Sequence, residues 1–431
     1  MSRKANTLYK LIFFLAIFSS FSCSGPVSIQ PQVNSLAIAG KNRFAIKVLE
    51  ENKDVYGKKN RLLYLMDYGF ILHISGEYKK SIEAFEEAKR LYSELYTKSI
   101  SNYASTWIVN DNNSFYRGED FERVMINIFQ AVNFLMLGDL EEALVEARNV
   151  DNELKLINDK YPTEKKNVYS EDAFARFFMG IVYESSENAA DFNNAYVSYK
   201  KALSIYENNY SPNYGVSAPH VLKDNWAGLA EMFDKGNAAF FEDKRRKGEV
   251  YLIDYYGLSP VKHEKFIPVP DLQGRIFKFA FPSYDKRTNE ESVRILSALS
   301  EDSREFSATA EIGEDISAIA VKNLENRKAR FVAKSVFRSA AKFAAEYSID
   351  KQISAEYGDN AADLSKYLAN LYNLSSEQAD LRSWQTLPAQ IRIARLILEP
   401  GKYKIYFGGE FLGTAELSSG DKKFFVLRTV R

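Results

Sequence analysis

Gly76-Glu-Tyr78-Lys-Lys-Ser81-Ile-Glu-Ala-Phe85-Glu-Glu-Ala88 is the stretch on which the reading of the fold turns. Gly76 turns the chain, Tyr78 is placed to pack back on a preceding helix, and small Ser81 and Ala88 permit close helix contact around Phe85. Seven residues before Gly76 stands Gly69, a small residue where the first helix of the pair crosses the second. The register recurs. Gly40, Ala45 and Leu49 stand 36 residues upstream of Gly76, Ser81 and Phe85. Downstream come Gly138-Asp-Leu140-Glu-Glu-Ala143 and Ala147, with Ala131 at the helix crossing. A degenerate copy runs through Phe192, Ala195, Tyr199 and Ala202, after a helix around Phe174 to Tyr183.

Four registers with matched small and aromatic positions resemble the tetratricopeptide repeat, whose period is about 34 residues. A non-repetitive helical bundle is the competing reading. The expected fold class is α+β: an N-terminal tetratricopeptide-like α-helical solenoid over 36–245, then a C-terminal α+β region over 246–431 with antiparallel strands and a long helix. The spacing from Gly76 to Gly138 is 62 residues. The excess, Ser99 to Phe121, holds Trp107 and the polar turn Asn110-Asp-Asn-Asn-Ser114. So long a loop is functional or covers a groove, or its aromatic residues are packing anchors, which is the preferred reading.

Repeat geometry also gives an inner face. Projection from Gly69 selects Leu63, Met66, Phe70 and His73, and projection from Ala131 selects Met125, Ile128, Val132 and Leu135. So apolar a lining is either a partner groove for a hydrophobic helix or is covered by the chain's own C-terminal half. The long helix from Ile316 to about Tyr347 is the expected cover. Its Ile316, Ile319, Ala320, Leu324, Phe331, Phe337, Ala341 and Ala344 form an apolar, small-residue face. The junction near Gly248 has no Ser/Gly/Pro-rich linker, so the halves are expected to pack as one body. On another face of that helix, Arg327, Arg330, Lys334, Arg338 and Lys342 make a basic stripe, read as a solvated face or a site for an anionic partner.

Period two takes over after Lys244-Arg-Arg-Lys247. Glu249–Tyr256, Lys265–Ile267, Arg275–Phe281 and Phe306–Ile312 read as strands. The end of the chain, from Gln390 to Thr429 with a Gly408-Gly409 turn, reads as an antiparallel meander.

Composition narrows the function. Lys+Arg and Asp+Glu are 57 each, with none of the basic excess that nucleic-acid binding proteins carry. One cysteine excludes an internal disulfide or a multi-cysteine metal site, and three histidines leave little for metal or general-base chemistry. No cofactor or metal is expected. Ser198-Tyr-Lys-Lys201 and Ser339-Ala-Ala-Lys342 match a Ser-x-x-Lys pair but lack its companion motifs, and His263-Glu264 lacks the second histidine of a zinc-protease helix. The chain reads as a non-enzyme.

The N-terminus reads as an export signal. Arg3, Lys4 and Lys10 precede the apolar run Leu11–Phe18, which is too short to span a bilayer, and small residues lead to Cys23. This resembles a bacterial lipoprotein signal, which implies that residues 1–22 are removed, that Cys23 receives the acyl chains and that 23–35 tether the protein. An ordinary secretory signal with a cysteine near its end is the competing reading. Ser24 in place of Asp points to the outer membrane.

Taken together, the chain resembles an uncharacterised family of bacterial tetratricopeptide-repeat (TPR) lipoproteins of the cell envelope. Its signature positions here are Tyr116, Gly118 and Glu122, then Glu146 and Arg148, the Ser259-Pro260 to Pro268 strand pair, and Asp380, Arg382, Trp384 and Pro388. The resemblance implies a protein of the bacterial envelope and leaves its role open. The apolar inner face, the repeats and the missing catalytic sets point to an outer-membrane, periplasm-facing lipoprotein that holds other envelope proteins, and the charge balance points away from nucleic acid. Peptidoglycan is a further candidate partner, and glycan binding or cleavage by carboxylates of the C-terminal half is the alternative. Asp380, Arg382 and Trp384 are expected to form a buried salt bridge roofed by the indole, in a structural role.

Overall fold

A methyl group built on Gly69 would lie 2.6 Å from the Phe85 ring, and one on Gly180 would lie 2.2 Å from the Tyr199 ring. In these two pairs the first helix thus needs a bare backbone where the aromatic residue of the second crosses it. The computed structural model describes residues 28–101, 114–159, 169–186, 188–237, 245–270, 276–285, 293–358 and 377–430, with 239, 363, 365, 367 and 370. Over these the N-terminal region is a run of packed helices: α1 (Gln30–Ile38), α2 (Asn42–Glu51), α3 (Arg61–Ile74), α4 (Tyr78–Ser101), α5 (Asp120–Leu137), α6 (Leu140–Asp159), α7 (Ala173–Glu184), α8 (Ala189–Ile205) and α9 (His220–Phe233). α3 packs on α4, α5 on α6 and α7 on α8. Ser81 Oγ donates to Gly69 O at 2.8 Å, which ties the first crossing.

The C-terminal region holds mixed and antiparallel sheets. β1 (Gly248–Tyr256) lies between β10 (Lys422–Thr429), to which it is parallel, and β7 (Gln390–Leu398), which pairs antiparallel with it and with β6 (Glu311–Asp315). A second sheet, in the order β5-β4-β8-β9, is antiparallel throughout (β4 Ile295–Ser300, β5 Glu305–Thr309, β8 Gly401–Phe407, β9 Glu410–Leu417). β2 (Val261–Pro270) and β3 (Ile276–Asp285) form a separate ribbon. α10 (Ile316–Tyr357) packs along β3.

Strand alternation decides what each face of the β1 sheet meets. Tyr251, Ile253, Tyr255, Ile391 and Ile393 belong to the core they share with the helices. Val250, Leu252, Ala394, Leu396 and Leu398 join Ile405, Phe407 and Leu417 in a core between the two sheets. The result is three layers, helices, then sheet, then sheet, and every residue of β1 is buried.

Several expectations are corrected here. The tether ends earlier than residue 35, because α1 begins at Gln30; Gln30 Nε2 donates to Asp67 Oδ2 at 2.9 Å and to Ser383 O at 3.1 Å. The terminal meander holds only for β8–β9. β7 and β8 lie in different sheets, and β10 returns to pair parallel with β1. The strand expected over Phe306–Ile312 breaks at Ala310, where the chain leaves one sheet for the other. Residues 1–27, with the signal and Cys23, and residues 102–113, with Trp107, lie outside the described residues. Among the described residues no helix is long and apolar enough to cross a membrane.

Candidate functional site

The inner face of the helices is closed. Leu63, Met66, Phe70, His73, Met125, Ile128 and Val132 are all buried, so they form no open partner groove; Leu135 is half-buried. The cover is β1 and the turn at Trp384, not the long helix. Phe70 meets Trp384 at 6.2 Å and Tyr255 at 5.6 Å between ring centroids, and Phe129 meets them at 5.8 and 5.4 Å. Only the first turns of α10, with Ile316, Ile319 and Ala320, reach this core. Further along, Phe331 is half-buried and Phe337 is exposed; the side chains of Ala341 and Ala344 lie outside the described residues.

Polar groups on this inner face are satisfied from the strand side. Tyr255 Oη and His73 Nε2 are 2.8 Å apart, and His73 Nδ1 and Asn133 Oδ1 are 2.6 Å apart. Because Oδ1 only accepts, Nδ1 carries the proton and Nε2 accepts from the tyrosine. Asn133 Nδ2 then donates to Ser81 Oγ at 2.9 Å. Burial pushes His73 down to about 4, so the ring is a neutral link.

Two signature segments, far apart in sequence, meet in one buried cluster. Gly118, at φ +71°, turns the chain into α5 and lets Glu122 reach back. Glu122 Oε2 accepts from Tyr116 Oη at 2.5 Å and from Glu119 N at 2.7 Å, and its Oε1 accepts from Trp384 N at 2.8 Å. Arg382 pairs with Asp380 through Nε and Nη2 at 2.8 and 2.7 Å, and its Nη1 donates to Asn60 Oδ1 and Ser114 O, both at 2.9 Å. The expected salt bridge exists, but the ring above the guanidinium is Tyr116, at 5.5 Å, and the indole points into the helical core. Pro388 is buried just before β7.

Lys262 completes the cluster: its Nζ donates to Glu119 Oε1 at 2.7 Å and to Arg382 O at 2.9 Å. Arg327 of α10 pairs with the other Glu119 oxygen. Burial works against the Glu119 charge, yet Arg327 and Lys262 hold that carboxyl below the usual range. Burial and the adjacent Glu119 push Glu122 up to about 7. Lys262 lies inside the Ser259–Pro268 stretch but carries no signature of its own in the sequence, and Arg327 reads there only as part of the basic stripe. Arg327 and Arg338, which pairs with Glu377, belong to the basic stripe, and Lys334 is buried. These members are internal cations, neither a solvated face nor an anion site; the side chains of Arg330 and Lys342 lie outside the described residues.

Glu146 and Arg148 lie elsewhere, on α6. Glu146 is buried and accepts from Lys89 Nζ at 2.8 Å, and Arg148 is exposed.

An open cavity of about 570 Å³ lies where the end of α7 meets β1 and β10. Glu184 and Glu249 form its floor, and Arg245, Arg246 and Lys422 stand around them. Parallel pairing sets Lys422 directly beside Glu249, and its Nζ is 3.9 Å from Glu184 Oε1. Tyr199 Oη donates to Glu184 at 2.6 Å, Tyr251 Oη donates to Glu249 at 2.9 Å, and Arg395 Nη1 is 3.3 Å from Glu249. This floor was not visible in the sequence, since its groups come from α7, α8, β1, β7 and β10. The Glu249-x-Tyr251 alternation is the one local hint that a polar group shares the helix-facing side.

A third cluster is sealed. Asp172 and Glu314 share the tyrosines around the π-helical turn Tyr206–Tyr210; Tyr169 Oη donates to Asp172 at 2.5 Å and Tyr210 Oη donates to Glu314 at 3.2 Å. Burial, then Asp172, raises Glu314 well above the usual carboxyl range. Ser198 and Ser339, of the two Ser-x-x-Lys matches, are buried within helices. Among the described residues no group of three or more His, Cys, Asp or Glu is placed to hold a metal ion. Comparison with protein-family models, with curated proteins and with solved structures finds no match to this chain.

Proposed function

We propose that this protein is an outer-membrane-anchored, periplasm-facing lipoprotein that serves as a non-catalytic scaffold for other envelope proteins. The observation that carries the reading is the fusion of the two halves. A shared core and a buried ionic cluster join the helices to the sheets, so the outer surfaces are presented at fixed spacing. The helix pairs, with glycine under an aromatic ring at two crossings, support a tetratricopeptide-like solenoid. With the inner face filled, partners dock on outer surfaces. The signal pattern and Cys23 support the anchor.

Crosslinking in cells followed by mass spectrometry should recover a defined envelope protein. Cys23→Ala should leave unprocessed precursor or a soluble periplasmic form and lose that crosslink. Recovery of no partner, or a Cys23→Ala variant that stays with outer membranes after a carbonate wash, counts against the reading.

The cavity favours a second reading, glycan binding. Arginine and lysine beside paired carboxylates suit a ligand with its own carboxylates, amides and hydroxyls, as cell-wall peptides and sugars have. The wild-type chain should then sediment with purified sacculi and the Arg245→Glu/Arg246→Glu variant should not. Equal sedimentation of both rejects the cavity as the site.

A further inference from the structure

α10 is 42 residues long, and its middle carries a second apolar stripe unrelated to the face that meets the core. Ala329, Ala333, Val336, Ala340, Phe343 and Tyr347 follow one another at alternating steps of four and three, the spacing of a coiled-coil seam. All six are exposed, with Val336 at 46%, Phe343 at 37% and Tyr347 at 50%. Phe343 rests partly on Phe277 of the ribbon, and its ring stacks on Tyr347. The helix is fixed from the other side, where Ser335 and Arg338 both bond Glu377. A rigid helix therefore shows solvent three heptads of seam. Polar Lys322 and Asn326 precede the seam in sequence, and Asp350 and Ser354 follow it.

The order of sizes along the stripe selects the occupant. Turned end for end about the position of Arg338, the stripe meets itself with Ala329 opposite Tyr347, Ala333 opposite Phe343 and Val336 opposite Ala340. Each large side chain faces a small one, and each pair joins the two kinds of seam position that antiparallel helices bring together. Side by side in parallel, the same stripe would set alanine on alanine at one end and ring on ring at the other. Phe337, 49% exposed, flanks the seam at its centre and would meet its own copy across the two-fold axis. A lipid surface calls for bulky groups along the whole face, whereas half of this one is alanine.

We infer that a second copy of this chain docks on α10, forming a two-fold antiparallel helix pair through Ala329, Ala333, Val336, Ala340, Phe343 and Tyr347. The inference does not rest on the scaffold or the anchor.

The test uses the full chain carrying Cys23→Ser, which removes its one cysteine. Sedimentation equilibrium should show a monomer–dimer equilibrium. Ala333→Glu should weaken it more than about tenfold with an unchanged melting temperature, because a carboxylate would be buried against the copy's seam. Orientation is read by disulfides. Ala329→Cys and Tyr347→Cys chains should link to each other when mixed. Neither should link to itself, since in an antiparallel pair two copies of position 329 are about 27 Å apart along the axis. A wild-type chain that stays monomeric at its highest soluble concentration overturns the inference. So does a dimer indifferent to Ala333→Glu, or self-linking of Ala329→Cys. A monomer that binds anionic vesicles through this stripe, with binding lost in Ala333→Glu, would assign the face to lipid and overturn it equally.

Discussion

Trp384→Ala should lower the free energy of unfolding by roughly 3–5 kcal/mol, the range for deleting a large buried aromatic side chain. The indole is almost wholly buried and stands among Phe70, Phe85 and Phe129, at 6.2, 6.1 and 5.8 Å, each in an edge-on arrangement. These rings come from α3, α4 and α5, so one side chain of the C-terminal half fills the crossing of three helices. Its Nε1 donates to Thr386 Oγ1 at 2.9 Å, and that hydroxyl donates to Asp67 Oδ1 at 2.8 Å. Burial pushes Asp67 up to about 6, even with Gln30, Thr386 and Tyr56 donating to it. A void beside this carboxyl would admit water and loosen the contact between α1, α3 and the 380s. Trp384→Phe keeps most of the packing and loses the indole donor, so it should cost about half as much or less. Urea unfolding followed by both near- and far-ultraviolet circular dichroism measures the effect. A loss under about 1 kcal/mol, or separate transitions for the helical and sheet regions of the wild type, would mean that the halves do not share this core.

The helical region was legible because its information is local. Gly69 and Phe85, or Ala131 and Ala143, act within one helix pair, and Leu63, Met66, Phe70 and His73 are buried in a helix that is covered on nearly all sides. What covers them was not local. β1 is buried on both faces, so its Glu-Val-Tyr-Leu-Ile-Asp-Tyr-Tyr run lacks the clear alternation that would have marked one side for the helices. The long helix, with a visible apolar face, was the natural but wrong choice. The same limit explains the last strands. The Gly408-Gly409 turn fixes β8 against β9 at short range, whereas β10 pairs with β1 across most of the C-terminal half. In the ionic cluster, Tyr116, Glu122, Asp380 and Arg382 could be singled out within two short segments, yet their meeting depends on the whole fold. Lys262 and Arg327 sit in segments where a lysine or arginine is ordinarily a surface residue.

Lys262→Met should cost roughly 3–5 kcal/mol at neutral pH, because removing one partner of a buried pair leaves two neighbouring buried carboxyls, Glu119 and Glu122, with Arg327 as their remaining cation. The ammonium is buried between Glu119, Glu122 and Tyr284, and burial alone would weaken its charge. Burial is the largest single influence, but Glu119, Tyr284, Asp380 and Glu122 together outweigh it and hold the lysine above its usual range. Methionine fills a similar volume but gives nothing to Glu119 Oε1 or Arg382 O. Arg327 still holds one oxygen of Glu119, so Glu122 bears the change: already pushed up to about 7, it rises further without the lysine. A carboxyl whose folded value is raised stays protonated in the fold while the unfolded chain ionises. Stability is therefore lost as pH rises from the ordinary glutamate value through the folded one, and is regained on the way down. The deficit of Lys262→Met should accordingly be larger near pH 8 than near about pH 5.5. Adding Glu122→Gln removes the charge that has lost its neighbour while keeping an acceptor for Trp384 N or Tyr116. The double variant should thus recover part of the loss, more at the higher pH, and the double-mutant cycle should show coupling above about 1 kcal/mol. A Lys262→Met deficit that is small, or equal at both pH values, would mean that Lys262 does not hold the two signature segments together.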